Sequence, residues 1–138
     1  MDKKVRWLRR SYRIGAVADA LTLIPMLSPK AGGAMYGIED FQPEIEYRYA
    51  MGLGASLMSG WTLLLVWADR KPVERKGVLL LTIFPVLFGL ILSGAWALPK
   101  SELVQTKKVV PMFVFQAAIT TLFIYSYLQA KGLEKEPS

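Results

Sequence analysis

An all-α polytopic membrane protein, a bundle of four transmembrane helices with both termini cytoplasmic, is the fold class the sequence predicts. Three observations predict it. Tyr49 to Leu98 holds two apolar spans of about twenty residues, joined by the charged turn Asp69-Arg70-Lys71-Pro72-Val73-Glu74-Arg75-Lys76, and a span that long matches the roughly 30 Å hydrocarbon thickness at a helical rise of 1.5 Å per residue. Neither span has the period-two alternation of a barrel strand, and a bilayer admits only helices or closed barrels, because an unpaired backbone group in lipid costs several kcal/mol. Lys and Arg are unevenly placed: twelve lie in the first thirteen residues, the 69–76 turn and the tail, and five in the segments 28–48 and 99–108. Cations mark the cytoplasmic side, which predicts a multi-pass protein of the inner or plasma membrane.

Composition narrows the function classes. At 138 residues and 53% hydrophobic the chain is one domain, 1–138, with its charges gathered between apolar blocks. The net charge of +6 would suggest nucleic acid in a soluble protein. Here the basic residues crowd span ends, so anionic lipids rather than nucleic acid are the expected contact. There is no Cys and no His, which argues against iron–sulfur, haem, zinc–imidazole and His-dependent chemistry, and no cofactor or metal is expected.

In chain order, residues 1–13 carry Lys3, Lys4, Arg6, Arg9, Arg10 and Arg13 around Trp7 and Tyr12, an interfacial anchor. Arg9-Arg10-Ser11-Tyr12-Arg13 also has the look of a twin-arginine signal, but the apolar run after it is interrupted by Asp19 and Pro25. Ile14–Leu27 supplies only fourteen mostly apolar residues, so the first span must start near Val5, with its arginines snorkelling outward, and run 5–27. Pro25 and Pro29 mark its far end. Residues 30–48 read as an external loop, with one short surface helix near Pro43–Tyr47. Spans follow at 49–68, 77–98 and 109–128. Pro85 should kink the third, Trp67 and Trp96 should sit at opposite interfaces, and the tail Lys131–Ser138 should fray.

Gly52, Ser56 and Gly60 recur at i, i+4, i+8 on the second span, and Gly89, Ser93 and Ala97 do so on the third. Such stripes let helix backbones approach, and the expectation is that the two pack the hairpin together, with a dimer contact as the alternative. Leu65 then falls on the lipid-facing side.

Asp19 is the one ionisable residue squarely inside a span. A carboxylate at depth costs about 2.5 kcal/mol or more, so such a residue turns to the bundle interior and finds a partner or protonates. Counting from the span ends, Asp19, Trp61, Pro85, Thr120 and Thr121 all lie on the order of 10 Å from the cytoplasmic boundary, and Gln116 is one turn further out on the face of Thr120. Asp19, Trp61, Gln116, Thr120 and Thr121 are therefore the candidate ligand-binding residues, around a small polar pocket for an apolar or cationic ligand. The competing reading is structural: Asp19 hydrogen-bonds a neighbouring helix, and Trp61 fills core. Glu39, Asp40, Glu44 and Glu46 form a second acidic group, best read as the solvated face of a loop.

The phrase Gly60-Trp61-Thr62-Leu63-Leu64, the turn Ala68–Lys76 and the four-span layout resemble a group of small prokaryotic four-helix membrane proteins, broadly DoxX-like. That resemblance implies a four-helix bundle and no particular activity. Gly15-Ala16-Val17-Ala18-Asp19 is also similar to the Glu-centred first-span segment of the small multidrug resistance transporters. Asp stands here for Glu, the 28–48 loop is longer, and the charge bias opposes a dual topology.

Three functions fit. The favoured one is a non-enzymatic accessory or lipid-binding membrane protein with a pocket near Asp19. The others are proton-coupled transport through Asp19 in a homodimer, and a membrane isomerase of a lipid-like substrate using Asp19 as proton donor or acceptor and Trp61 to stabilise a cation. A second carboxylate within reach of Asp19 would favour the isomerase.

Overall fold

The computed structural model of the protein describes residues 2–133, so the expected frayed tail lies, beyond Leu133, outside the described residues. The chain is 82% helix with no strand among the described residues, which removes a barrel. Its helices are α1 (Lys3–Leu27), α2 (Pro29–Tyr36), α3 (Ile45–Asp69), α4 (Lys76–Leu81), α5 (Phe88–Ala97) and α6 (Thr106–Ala130). A wide π-helical turn, Thr82–Leu87, joins α4 to α5, and a 3-10 turn, Leu98–Lys100, ends α5. Three helical stretches are long and apolar enough to cross a membrane: Ile45–Asp69, Lys76–Lys100 and Thr106–Ala130.

The kink expected at Pro85 is present. Phe84 has extended backbone (φ −133°, ψ 118°) and the Phe84–Pro85 peptide is cis. Beyond it α5 buries none of its residues. It leans on α6, where a Cβ on Gly94 would come within 3.0 Å of Phe113 Cζ.

One helix was not expected. Residues 29–36 form a helix where the sequence suggested loop, and the short helix proposed near Pro43–Tyr47 is the first turn of α3. The local chemistry of α2 explains it. Ser28 caps the helix by accepting from the Ala31 amide at 3.3 Å, Pro29 occupies the first turn, where its missing N–H is not needed, and Gly37 closes it in the left-handed region (φ 73°). The acids after it stay exposed, as a solvated loop requires.

The core sits at the end of the bundle that holds the 69–76 turn. Val5, Leu8 and Tyr12 of α1, Leu65 and Ala68 of α3, Val73 of the turn, Leu79 of α4 and Phe123 of α6 pack together there. The N-terminal half of α1 is thus more than an anchor: its 3.6-residue period turns Val5, Leu8 and Tyr12 inward while Lys4, Arg6, Arg10 and Arg13 stay out. Tyr12 donates its hydroxyl to the Arg75 carbonyl at 2.9 Å, and Lys76 reaches the carbonyls of Lys131 and Leu133, so turn and helix ends are stitched together. Aromatic and cationic groups meet at both ends: Arg75 stacks 3.6 Å from the Trp67 ring, and Lys100 lies 3.8 Å from that of Trp96.

The small-residue stripes do not pack the hairpin. A Cβ built on Gly52, Gly60 or Gly89 meets nothing within 4 Å, and Ser56 and Ser93 are exposed. The reason is that α3 gives its inner face to α1. Ala55 and Leu65 are buried, and Gly54 is where Met26 of α1 comes close, 2.7 Å from an ideal Cβ. Leu65, expected to face lipid, is fully enclosed. Small residues permit close approach but do not compel it, and the break at Phe84 carries α5 away from α3.

Candidate functional site

Above the core the helices part around a partly open cavity of about 610 Å³ lined from α1, α2, α3, the π-helical turn, α5 and α6. Gly15, Leu87 and Phe123 line it at the core end, and Met35 and Tyr36 of α2 line it as well. Gly15 leaves room at the core end, since a Cβ there would stand 2.8 Å from Phe123 Cζ and 3.2 Å from Leu65 Cδ1.

Among the described residues, the wall is apolar except for Asp19, Thr22, Tyr36, Thr82 and Gln116, and no Lys or Arg lines it. Met26, Met35, Met51, Met58 and Met112 all line it. These are every methionine in the chain except Met1. They come from four different helices, so nothing in their sequence spacing announces their convergence. Unbranched thioethers with three rotatable bonds adapt to irregular shapes, a property suited to a wall that must fit a variable occupant.

The polar groups divide into committed and uncommitted. Thr22 donates to the Ala18 carbonyl at 2.8 Å. Thr82 donates to the Val78 carbonyl at 2.7 Å and accepts from Trp61 Nε1 at 3.0 Å. Asp19 Oδ2 and Gln116 Oε1, by contrast, are buried with no hydrogen-bond partner. Arg13, the cation nearest to Asp19 along α1, is held elsewhere: its Nε donates to Asp69 Oδ2 at 3.1 Å.

Of the five candidate residues, the structure places Asp19 and Gln116 on the cavity wall, from α1 and α6. Trp61, Thr120 and Thr121 lie outside the lining. Trp61 packs against the core and holds Thr82 from behind. The hydroxyls of Thr120 and Thr121 donate to the carbonyls of Gln116 and Ala117 at 2.7 and 2.9 Å, the usual fate of a threonine in a long apolar helix. Depth along a span placed all five in one layer. It left open which way each helix is rotated, and rotation is what separates Asp19 and Gln116 from the other three. Thr82 and the methionines escaped the sequence reading, the methionines because singly they look like core filler.

Such a cavity within a helical bundle, apolar with a few convergent polar atoms, has the form and size of a small-molecule site. Fold and site together define a class: an all-helical protein with three helices long and apolar enough to span a membrane, with a methionine-walled cavity beside the Asp19 carboxyl group. No protein-family model, curated protein or solved structure matches the chain.

Proposed function

We propose that the chain is a four-span protein of the inner or plasma membrane, both termini cytoplasmic, that holds a lipid or other apolar small molecule in the cavity beside Asp19 without transforming it. The observation that carries this reading is the cavity itself, with five methionines on its wall and two unpartnered acceptors. For the fourth span, α1 contributes support of its own. Ile14, Val17, Ile24 and Leu27, at spacings of three and seven, form an outward stripe of large apolar side chains, each 43% exposed or more. A stripe of that kind has a natural solvent in lipid and a poor one in water. The charge asymmetry supports the orientation.

Binding is preferred over isomerisation because Asp19 is the only carboxylate among the described residues that line the cavity, whereas proton shuttling across a substrate calls for a second acid or base. The exposed Ser56 and Ser93 stripes leave room for a homodimer, which the transport reading requires.

The test is extraction of protein purified in mild detergent, with the bound small molecules read by mass spectrometry. Ala18→Phe, which places a ring in the cavity, serves as the control. A species that accompanies the native protein and is depleted in the folded Phe variant is the expected result. Equal extracts from the two proteins, differing in nothing but bulk lipid, would refute the cavity as a binding site.

A further inference from the structure

We infer that the occupant of this cavity is an amphiphile bearing a primary ammonium group, held by Asp19 and Gln116 with its apolar body against the methionines; this rests on the cavity being a ligand site. Elimination among the polar groups of the wall leaves two oxygens, Asp19 Oδ2 and Gln116 Oε1. The hydroxyls of Thr22 and Thr82 are spent on their own helices, and Thr82 is further engaged by Trp61. Those two oxygens stay buried without partners. A ligand that satisfies them must donate. The last torsion of each side chain is broad, so a small rotation suffices to present the oxygen to a donor in the cavity.

Charge points the same way. The cavity has a carboxyl group and, among the described residues, no Lys or Arg on its wall, and Arg13, the cation closest in sequence, is engaged by Asp69. An anionic headgroup such as a carboxylate or phosphate would be buried there without a counter-charge, which is strongly disfavoured, and a neutral alcohol would offer only one hydrogen to two acceptors. A primary ammonium offers three hydrogens and the complementary charge, and charge-assisted hydrogen bonds of this kind are roughly twice as strong as neutral ones. Tyr36 adds an aromatic ring and a hydroxyl to the cavity lining.

The experiment compares three amphiphiles of equal chain length, dodecylamine, dodecanol and dodecanoate, each incubated at neutral pH with the full chain in detergent and scored by native mass spectrometry. Dodecylamine should be retained about tenfold or more over the other two. In Asp19→Asn that preference should collapse to within about twofold while the alcohol is held as before. Retention of the alcohol or the carboxylate as well as the amine, or an undiminished amine preference in the Asn variant, would overturn the headgroup assignment while leaving the cavity a binding site. Retention of none of the three by the native chain would instead remove the binding site and this inference with it. Should Asp19→Asn not fold, the ranking of the three headgroups on the native chain decides the matter alone.

Discussion

Ser11 Oγ and Ser126 Oγ lie 2.6 Å apart, both side chains fully buried, in a hydrogen bond that ties α1 to α6. Ser126 Oγ also donates to the Trp7 carbonyl at 3.3 Å. The bond between the two hydroxyls is lost in either single variant, so it is counted in both, yet the double variant loses it only once. Ser11→Ala and Ser126→Ala should therefore each cost about 1 kcal/mol, and the double variant clearly less than the sum. Reversible unfolding in mixed micelles measures all three, and strict additivity would show that the two hydroxyls act independently.

Leu65 and Ser56 exchange the roles that the small-residue stripe suggested. Leu65 is fully enclosed beside Gly15 and Phe123, and Leu65→Ala should cost about 2–5 kcal/mol. Ser56 is exposed, and Ser56→Leu should change stability by less than about 0.5 kcal/mol. The same unfolding assay ranks them, and a large loss from Ser56→Leu would place that face of α3 in a contact with a second molecule.

Orientation can be read at two exposed acids. Glu39 lies in the segment between α2 and α3, and Glu74 in the turn between α3 and α4. Cysteine at Glu39 should react with a membrane-impermeant thiol reagent in intact cells, and cysteine at Glu74 only after lysis. The reverse pattern would invert the topology, and reactivity at both would remove the span between them.

Tyr36 is half-buried in the cavity lining, and desolvation raises its phenol above the ordinary tyrosine value. A group whose folded pKa is raised contributes stability that is complete below the unfolded value, about 10 for tyrosine, and is lost as pH climbs through the folded one. The native chain should therefore lose stability at strongly alkaline pH relative to Tyr36→Phe, with the two variants parallel at neutral pH. Parallel curves across the whole range would mean that the phenol is freely solvated.

Long apolar runs and the distribution of charge were enough, by themselves, to locate α3, the broken α4–α5 stretch and α6 to within a few residues, and to place the kink at Pro85. These are local properties: backbone hydrogen bonds in lipid must close within the helix, and proline acts on its own turn. Even α2 was written locally, in Ser28-Pro29 at one end and Gly37 at the other, although a glycine-rich loop reading obscured it. The rotation of each helix about its axis was not local. It decided that α3 pairs with α1 through Ala55 and Leu65 rather than with α5 through small residues, and that Asp19 and Gln116 both line the cavity while Trp61, Thr120 and Thr121 turn elsewhere. In a chain whose spans are apolar almost all round, hydrophobic periodicity carries little information about which face turns inward, and close packing of particular side chains settles it instead. The gathering of five methionines from four helices into one wall is the clearest product of that packing.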